Sequence, residues 1–400
     1  MNTSPPRALE GLKVLDLSRV LAGPYCSMLL GDMGADVLKV ERPGAGDDTR
    51  HWGPPWQGEF SAYFLSVNRN KRSLTLDLKH PRGLEILKRL LLQADVLLEN
   101  FRVGTLDKLG LTQEWLQEHC PSLIICRFSG YGQEGPNAQR PGYDFAIQAE
   151  AGVMSITGPG EGAPHKVGVA VVDVTAGLYA SQAILGALLY RERSGRGQEI
   201  DVSLWDAQLG WLVNVAQNAL VTGNIPGRFG NEHPTIVPYQ TFETATEPFA
   251  LAVGNDRQYQ RLCALLQAQE LWNDERFQTN AGRVEHRKAL IPMLQAVFVR
   301  RSREEWLASI QEAGIPCAPI QNIQEALTSE QSRARGSVLS ITHPDAGDIL
   351  QVAPVARMSE TPPSLRLPPP ALGEHSRQVL EEWLALSENE WLELQALKVV

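Results

Sequence analysis

The chain has 400 residues, of which 43% are hydrophobic and 21% charged, and its formal net charge is -9 at pH 7. That length and apolar content are enough for substantial cores in two or three structural units, as expected of a water-soluble globular protein. The acidic balance, with no dense Lys/Arg cluster, excludes a broad nucleic-acid or anionic-membrane surface.

Residues 13–17 read as a strand, 25–33 as a helix and 36–40 as the next strand. A short strand follows at 74–78, then a helix at 83–93, a strand at 94–98, a short helix at 113–118 and a strand at 123–127. The apolar run Val167-Gly168-Val169-Ala170-Val171-Val172 reads as a buried strand, and 174–193 has helical apolar spacing that stops at Gly195. A strand at 198–203 comes next. Such alternation predicts an α/β domain with a doubly wound parallel sheet. Gly, Pro and Asn enrichment at 221–239 marks a boundary or a functional loop. A second unit then runs to about residue 323, with a strand at 249–253 and helices at 258–266 and 302–312. Short strands return from His343. Pro362-Pro363 and Pro368-Pro369-Pro370 stiffen a linker, and two helices close the chain, the second opened by a Ser387-to-Glu390 capping box.

The first six residues lack the apolar core of a signal peptide, and no run of about 18 apolar residues occurs, so the expected location is cytoplasmic, with no membrane partner. Cys26, Cys120, Cys126, Cys263 and Cys317 form no CxxC pair and suit reduced thiols. Dinucleotide binding requires three glycines in the first strand-to-helix turn, where Ser18-Arg19-Val20-Leu21-Ala22-Gly23-Pro24 supplies one. No phosphate loop, GxSxG elbow, HExxH or HxH pairing is present, so neither a nucleotide hydrolase, a serine hydrolase nor a metal site is expected.

Four polar clusters fall at strand ends, where open α/β sheets bind ligands. They are Glu41-Arg42-Pro43-Gly44, Asn68-Arg69-Asn70-Lys71-Arg72-Ser73, Glu99-Asn100-Phe101-Arg102 and Ser129-Gly130-Tyr131-Gly132-Gln133. Their Arg and Lys residues suit phosphates, and their Asn, Phe and Tyr side chains suit an adenine ring; solvated loops are the plain alternative. Asp173 opens the 174–193 helix at a strand-to-helix turn. Backbone N–H groups and the helix dipole there are expected to keep its carboxylate ionised and available as a nucleophile, with helix capping as the competing role.

The ordered motifs Lys13-Val14-Leu15-Asp16-Leu17, Ala22-Gly23-Pro24, Gly34-Ala35-Asp36-Val37, Asn70-Lys71-Arg72-Ser73, Gly142-Tyr143-Asp144, Asp173, Gly195-Arg196-Gly197-Gln198 and Gly373-Glu374-His375 run along the chain. As a set they resemble those of the class III CoA-transferase family, which also contains the α-methylacyl-CoA racemases. Within the family, Arg19 to Pro24, Gly46-Asp47-Asp48-Thr49-Arg50 and Ile236-Val237-Pro238-Tyr239-Gln240 look most like the succinate–hydroxymethylglutarate CoA-transferases.

The resemblance implies a large α/β domain built from both chain ends, a smaller α/β domain, and an interlocked homodimer. The corresponding division is 1–203, a linker helix at 204–224, a small domain at 225–326, and a return to the large domain over 327–400. It implies acyl-CoA and carboxylic acid substrates, dicarboxylates such as succinate or glutarate among them, and no permanently bound cofactor. Asp173 takes the place of the acyl-carrying aspartate, with Asp144 ordering the wall beside it. Val20 and Ala22 fall near the pantetheine, Arg42 and Lys108 near phosphates, Leu76, Asn100 and Phe101 around the adenine, and Tyr143 beside the thioester. Arg102 joins them on charge. The glycine-bearing loop at 227–238, with Arg228, Gly230, Asn231 and His233, is expected to close over the reacting centre and pair with a distal carboxylate, an ordinary interdomain connection being the alternative. Leu21 stands where some family members carry Gln, which leaves that side-chain donor missing. Two rivals remain: a racemase, disfavoured because Tyr143, a phenol with pKa near ~10, replaces the expected His, and a CoA-binding protein without turnover, disfavoured by the intact Asp173.

Overall fold

The computed structural model describes residues 6–400; the amino-terminal stretch read for a leader core lies largely outside them. The described chain divides into a larger unit, made of residues up to Val153, Val167–Thr222 and Glu330–Val400, and a smaller one of Met154–Lys166 and Gly223–Ser329. Both chain ends therefore belong to the larger unit. Residues 154–166, which the linear division left in the large domain, fall in the smaller unit, whereas the helices across 204–222 stay with the larger one.

The larger unit is built on six parallel strands: β1 (Lys13–Asp16), β2 (Asp36–Glu41), β3 (Lys71–Thr75), β4 (Val96–Glu99), β5 (Ile124–Ser129) and β6 (Glu199–Ser203). Their order is β3-β2-β1-β4-β5-β6. The winding thus reverses between β1 and β4, and a crevice opens there at the carboxyl ends of the strands. One face of the sheet is covered by α1 (Ala22–Asp32), α2 (Asp144–Glu150), α3 (Val171–Ser194) and α4 (Leu204–Trp211), which bury Cys26, Leu30, Ile147, Ala176, Ala180 and Ala207 with Val14, Leu98 and Cys126 of the strands. On the other face Leu15, Leu38, Leu74 and Leu97 meet helix Pro81–Leu91 and the carboxyl-terminal helices Ser376–Leu384 and Glu388–Ala396, through Ile86, Leu90, Val379, Trp383 and Leu394. The Ser387-to-Glu390 capping box forms as expected.

Two expectations change here. The third strand runs three residues earlier than the apolar pattern suggested, so Lys71, Arg72 and Ser73 lie inside the sheet with side chains paired: Lys71 with Asp16, Arg72 with Asp36 and Glu382, Ser73 with Glu41. Asn68 to Ser73 is consequently buried structure and not a ligand-facing loop. Likewise no strand forms over 167–172. Only Val172 is fully buried, and the segment is held by side chains instead of a sheet edge: Val167 N–H donates to Gln148 Oε1, and Val172 N–H to Asp144 Oδ1.

Helix α3 is long and apolar enough to cross a membrane by length and composition, though half of its most apolar window is buried in the fold. It approaches α1 closely because Gly177 carries no Cβ; one there would lie 2.8 Å from the Ala22 carbonyl oxygen. The smaller unit has a three-stranded antiparallel sheet, Cys317–Pro319 beside Phe249–Ala252 beside Tyr239–Phe242, packed on helices that bury Tyr259, Leu290, Phe298 and Trp306.

Candidate active site

Two adjoining cavities line the crevice at the β1–β4 reversal, and both include Arg19 and Phe101. The outer one, about 260 Å³, is mainly apolar and is walled by Leu17, Val40, Leu76, Leu78 and Leu109, with Arg42 and Lys79 at its edge. The inner one, about 320 Å³, is walled by Val20, Leu21, Ala22, Asn100, Arg102, Phe128, Gly130, Arg140, Gly142, Tyr143 and Asp173. Gly130 and Gly142 pass back to back, a Cβ on Gly130 falling 2.7 Å from the Gly142 Cα. That contact lets two loops form one thin wall.

Most residues expected at the site meet in this crevice: Val20, Ala22, Asn100, Phe101, Arg102, Tyr143 and Asp173 in the inner cavity, Arg42 and Leu76 in the outer. Lys108 is exposed at the end of helix Thr105–Lys108 and lines neither cavity. Asn100 does not sit with Leu76. Its amide clasps the turn after β1, accepting from Arg19 N–H at 3.0 Å and donating to Arg19 O at 2.7 Å, so it shapes the crevice more than it reads a base. Arg19, Lys79 and Arg140 were missed, because a lone basic residue in a loop carries no spacing signal. Tyr63 was missed as well; burial first, then Asp173, Asp144 and Asp47, push its phenol up to about 12 and keep it protonated.

Asp173 is the third residue of α3, with Ala170 as the N-cap, so it does not cap the helix. Asp144 supplies that function from α2, taking the Val172 N–H at 2.9 Å while its other oxygen accepts from Gln148 at 2.6 Å. The expectation that Asp173 stays firmly ionised also changes. Burial, followed by repulsion from Asp144, raises its carboxyl to about 7, so it is about half protonated at neutral pH. A carboxylate so placed is poorly solvated and correspondingly reactive, the usual condition of an active-site acid or nucleophile.

Opposite stands the amino terminus of α1. Its N-cap, Leu21, makes no side-chain cap, and Ala22 at the first helical position borders the inner cavity. The first N–H groups of a helix are built to receive negative charge. Among the described residues no cluster of three or more His, Cys, Asp or Glu side chains is arranged for a metal ion.

The loop residues lie in the smaller unit. Arg228 donates to Pro159 O and Gly162 O, Gly230 N–H to Gly158 O, and Asn231 to Thr241 Oγ1. His233 Nδ1 accepts from Thr235 N–H, and Arg287 and Asn280 hold the carbonyls of residues 233–235. The second half of this loop is therefore tied down, not free along its whole length.

Sheet order and crevice define an α/β protein with two adjoining cavities at the topological switch point, where open α/β sheets receive ligands. A family model described as CoA-transferase family III matches residues 9–376. The chain is 43% identical to the succinyl-CoA:glutarate CoA-transferase of Mus musculus over 96% of its own length and 88% of that protein. It is also 43% identical to the succinate–glutarate CoA-transferase of Agrobacterium fabrum, over 95% of this chain and 96% of that one. A crystal structure of a CAIB/BAIF family protein from Brucella suis superposes with a TM-score of 0.83 at 43% identity, covering 94% of this chain and 99% of that chain. The chain belongs to CoA-transferase family III, and it is an enzyme of that class.

Proposed function

We propose that the enzyme moves CoA from an acyl-CoA to a free dicarboxylate of the succinate or glutarate kind, through covalent intermediates on Asp173. The observation that carries this reading is a half-buried carboxylate lining one of two adjoining cavities in the crevice, in a chain similar over nearly its whole length to succinyl-CoA:glutarate CoA-transferases. CoA is a substrate here, with no resident cofactor.

An oxygen of ionised Asp173 attacks the thioester carbonyl, the C–S bond breaks, and CoA leaves as thiolate from a mixed anhydride. The thiolate attacks the Asp173 carbonyl of that anhydride and releases the first acid as its carboxylate, leaving an aspartyl-CoA thioester. The acceptor carboxylate attacks the aspartyl carbonyl and again expels thiolate. Attack of the thiolate on the acceptor's acyl carbon yields the new acyl-CoA and returns Asp173. Each step exchanges one activated acyl bond for another, so the thioester's free energy is retained, provided water stays out.

The residues divide this work by position. Asp144 fixes the start of α3, and the Ala22 and Gly23 N–H groups face the oxyanion. Val20 and Tyr143 border the pantetheine arm. Arg42 and Arg102 serve with Lys79 and Arg140 as phosphate partners, joined by Lys108 from outside both cavities, while Leu76 and Phe101 hold the adenine end. An interlocked homodimer suits the exposed apolar side chains of α3, among them Leu185, Leu189 and Tyr190. A cytoplasmic location suits five cysteines that are all free.

A panel of acyl-CoA donors against carboxylic acids, followed by mass spectrometry, tests the reading. Transfer to C4 and C5 dicarboxylates supports it. Deuterium entry at the α-carbon of a branched acyl-CoA, with no acceptor required, would instead establish the racemase.

A further inference from the structure

Around the turn shared by the two cavities lie four charged side chains that the transfer steps do not use, one of which, Asp47, also lines the outer cavity. Asp16, Lys39, Asp47 and Lys71 are all fully buried. Each of them grips the backbone of the one turn, 18–24, that forms the cavity floor. Asp16 Oδ1 accepts from Ser18 N–H at 2.9 Å, Lys39 Nζ donates to Ser18 O at 2.9 Å, and Lys71 Nζ donates to Pro24 O at 2.8 Å. Asp47 receives the Val20 N–H at 3.2 and 3.3 Å, and its own charge is met by Lys39 at 2.8 Å and by the Thr49 N–H and hydroxyl.

Val20 needs such a grip. Its φ is 72°, a left-handed conformation that a β-branched residue adopts only when its surroundings impose it. Asn100 holds the preceding Arg19 on both its N–H and its carbonyl, so the Arg19–Val20 peptide is fixed at its carbonyl by Asn100 and at its N–H by Asp47. The geometry makes Val20 a pivot: its reversed φ turns the chain from β1 into α1 and sets where the Ala22 and Gly23 N–H groups stand relative to Asp173. Buried ion pairs return little net stability for the desolvation they require. A set of four under a single strained turn is better accounted for by orientation than by stability.

We infer that Asp47, buttressed by Lys39, is a positioning residue for acyl transfer: through the Val20 N–H it holds the left-handed pivot that aims the amino terminus of α1 at the reacting carbonyl. Asp47 touches no reacting atom. The inference rests on the covalent reading above, because it assigns the α1 N–H groups to the oxyanion formed at Asp173.

The test uses the full-length enzyme and a double-mutant cycle of Asp47→Ala and Val20→Gly. Thermal midpoint, kcat, KM for acyl-CoA and the rate of hydroxylamine-trapped labelling at Asp173 are measured for all four proteins. Asp47→Ala should lower kcat and the labelling rate by about 10- to 100-fold, the scale of a sub-ångström to ångström misplacement, with KM changed far less. Glycine reaches a φ of 72° without strain, so Asp47→Ala should reduce kcat much less in the Val20→Gly background than in the native one. A merely structural Asp47 gives a lower midpoint with kcat per folded molecule retained, or losses that multiply independently across the cycle, and either result overturns the inference. Should Asp47→Ala fail to fold, Asp47→Asn keeps an acceptor for the Val20 N–H: a smaller kcat loss relieved by Val20→Gly supports the inference, and an unrelieved one refutes it. Absence of labelling in the unaltered enzyme would refute the covalent reading itself, a distinct outcome.

Discussion

Removing the charge on Asp173 should make the protein more stable, and more so at higher pH. Asp173 binds its proton at about 7 in the folded chain against an ordinary value of 3.8. Between those values the folded state holds more protons than the unfolded state, so this residue's contribution to stability falls as pH rises from about 4 to 7 and stays low above that. A shift of roughly three units corresponds to at most about 4 kcal/mol. Because the residue is partly exposed on the surface of its unit, about half of that is the expected effect. Asp173→Asn should therefore raise the unfolding midpoint by about 3 °C at pH 8 and leave it nearly unchanged at pH 4. Calorimetry of the two proteins at both pH values measures this. Equal midpoint differences at the two pH values, or a less stable Asp173→Asn at pH 8, would refute the argument that the site holds its nucleophile at an energetic disadvantage.

Other substitutions give separable outcomes. Asp144→Asn keeps an acceptor for the Val172 N–H but removes the charge beside Asp173, so the acid limb of kcat/KM should move to lower pH by about half to one unit; an unmoved or raised limb contradicts the coupling. Gly177→Ala places a methyl 2.8 Å from Ala22 O and 3.0 Å from the Tyr25 ring. It should cost about 1–3 kcal/mol and lower kcat by pushing α1 away from α3, as read by denaturant unfolding and steady-state kinetics. Arg42→Ala should raise KM for acyl-CoA several-fold, about 1 kcal/mol for an exposed charge pair, while KM for the acceptor acid stays unchanged and the defect shrinks with added salt.

The parallel sheet was legible wherever its strands are continuous apolar runs: residues 13–17, 36–40, 94–98 and 123–127 all fall within a residue or two of β1, β2, β4 and β5. It failed at β3, since Lys71, Arg72 and Ser73 are tolerated inside by ion pairs and hydrogen bonds with distant Asp16, Asp36, Glu382 and Glu41. Pairing across 32 to 310 residues leaves no mark on local hydropathy. The run at 167–172 failed in the opposite sense. Its valines and alanine look like a strand, but Asp144 and Gln148 take the backbone partners a sheet edge would have offered. Asp173 itself was visible as an acid at a helix start, whereas its raised pKa depends on burial and on Asp144, twenty-nine positions away. Asp47 was quoted only as part of a motif, because nothing sequential connects it to Val20 or Lys39.

Covalent chemistry at Asp173 is most directly examined by incubating the enzyme with succinyl-CoA and hydroxylamine, without acceptor acid, and mapping peptides by mass spectrometry. A hydroxamate on Asp173, formed at a rate matching turnover and missing from Asp173→Ala together with all transfer, is the predicted result. Full CoA transfer with Asp173 unmodified, or transfer surviving in Asp173→Ala, contradicts the account.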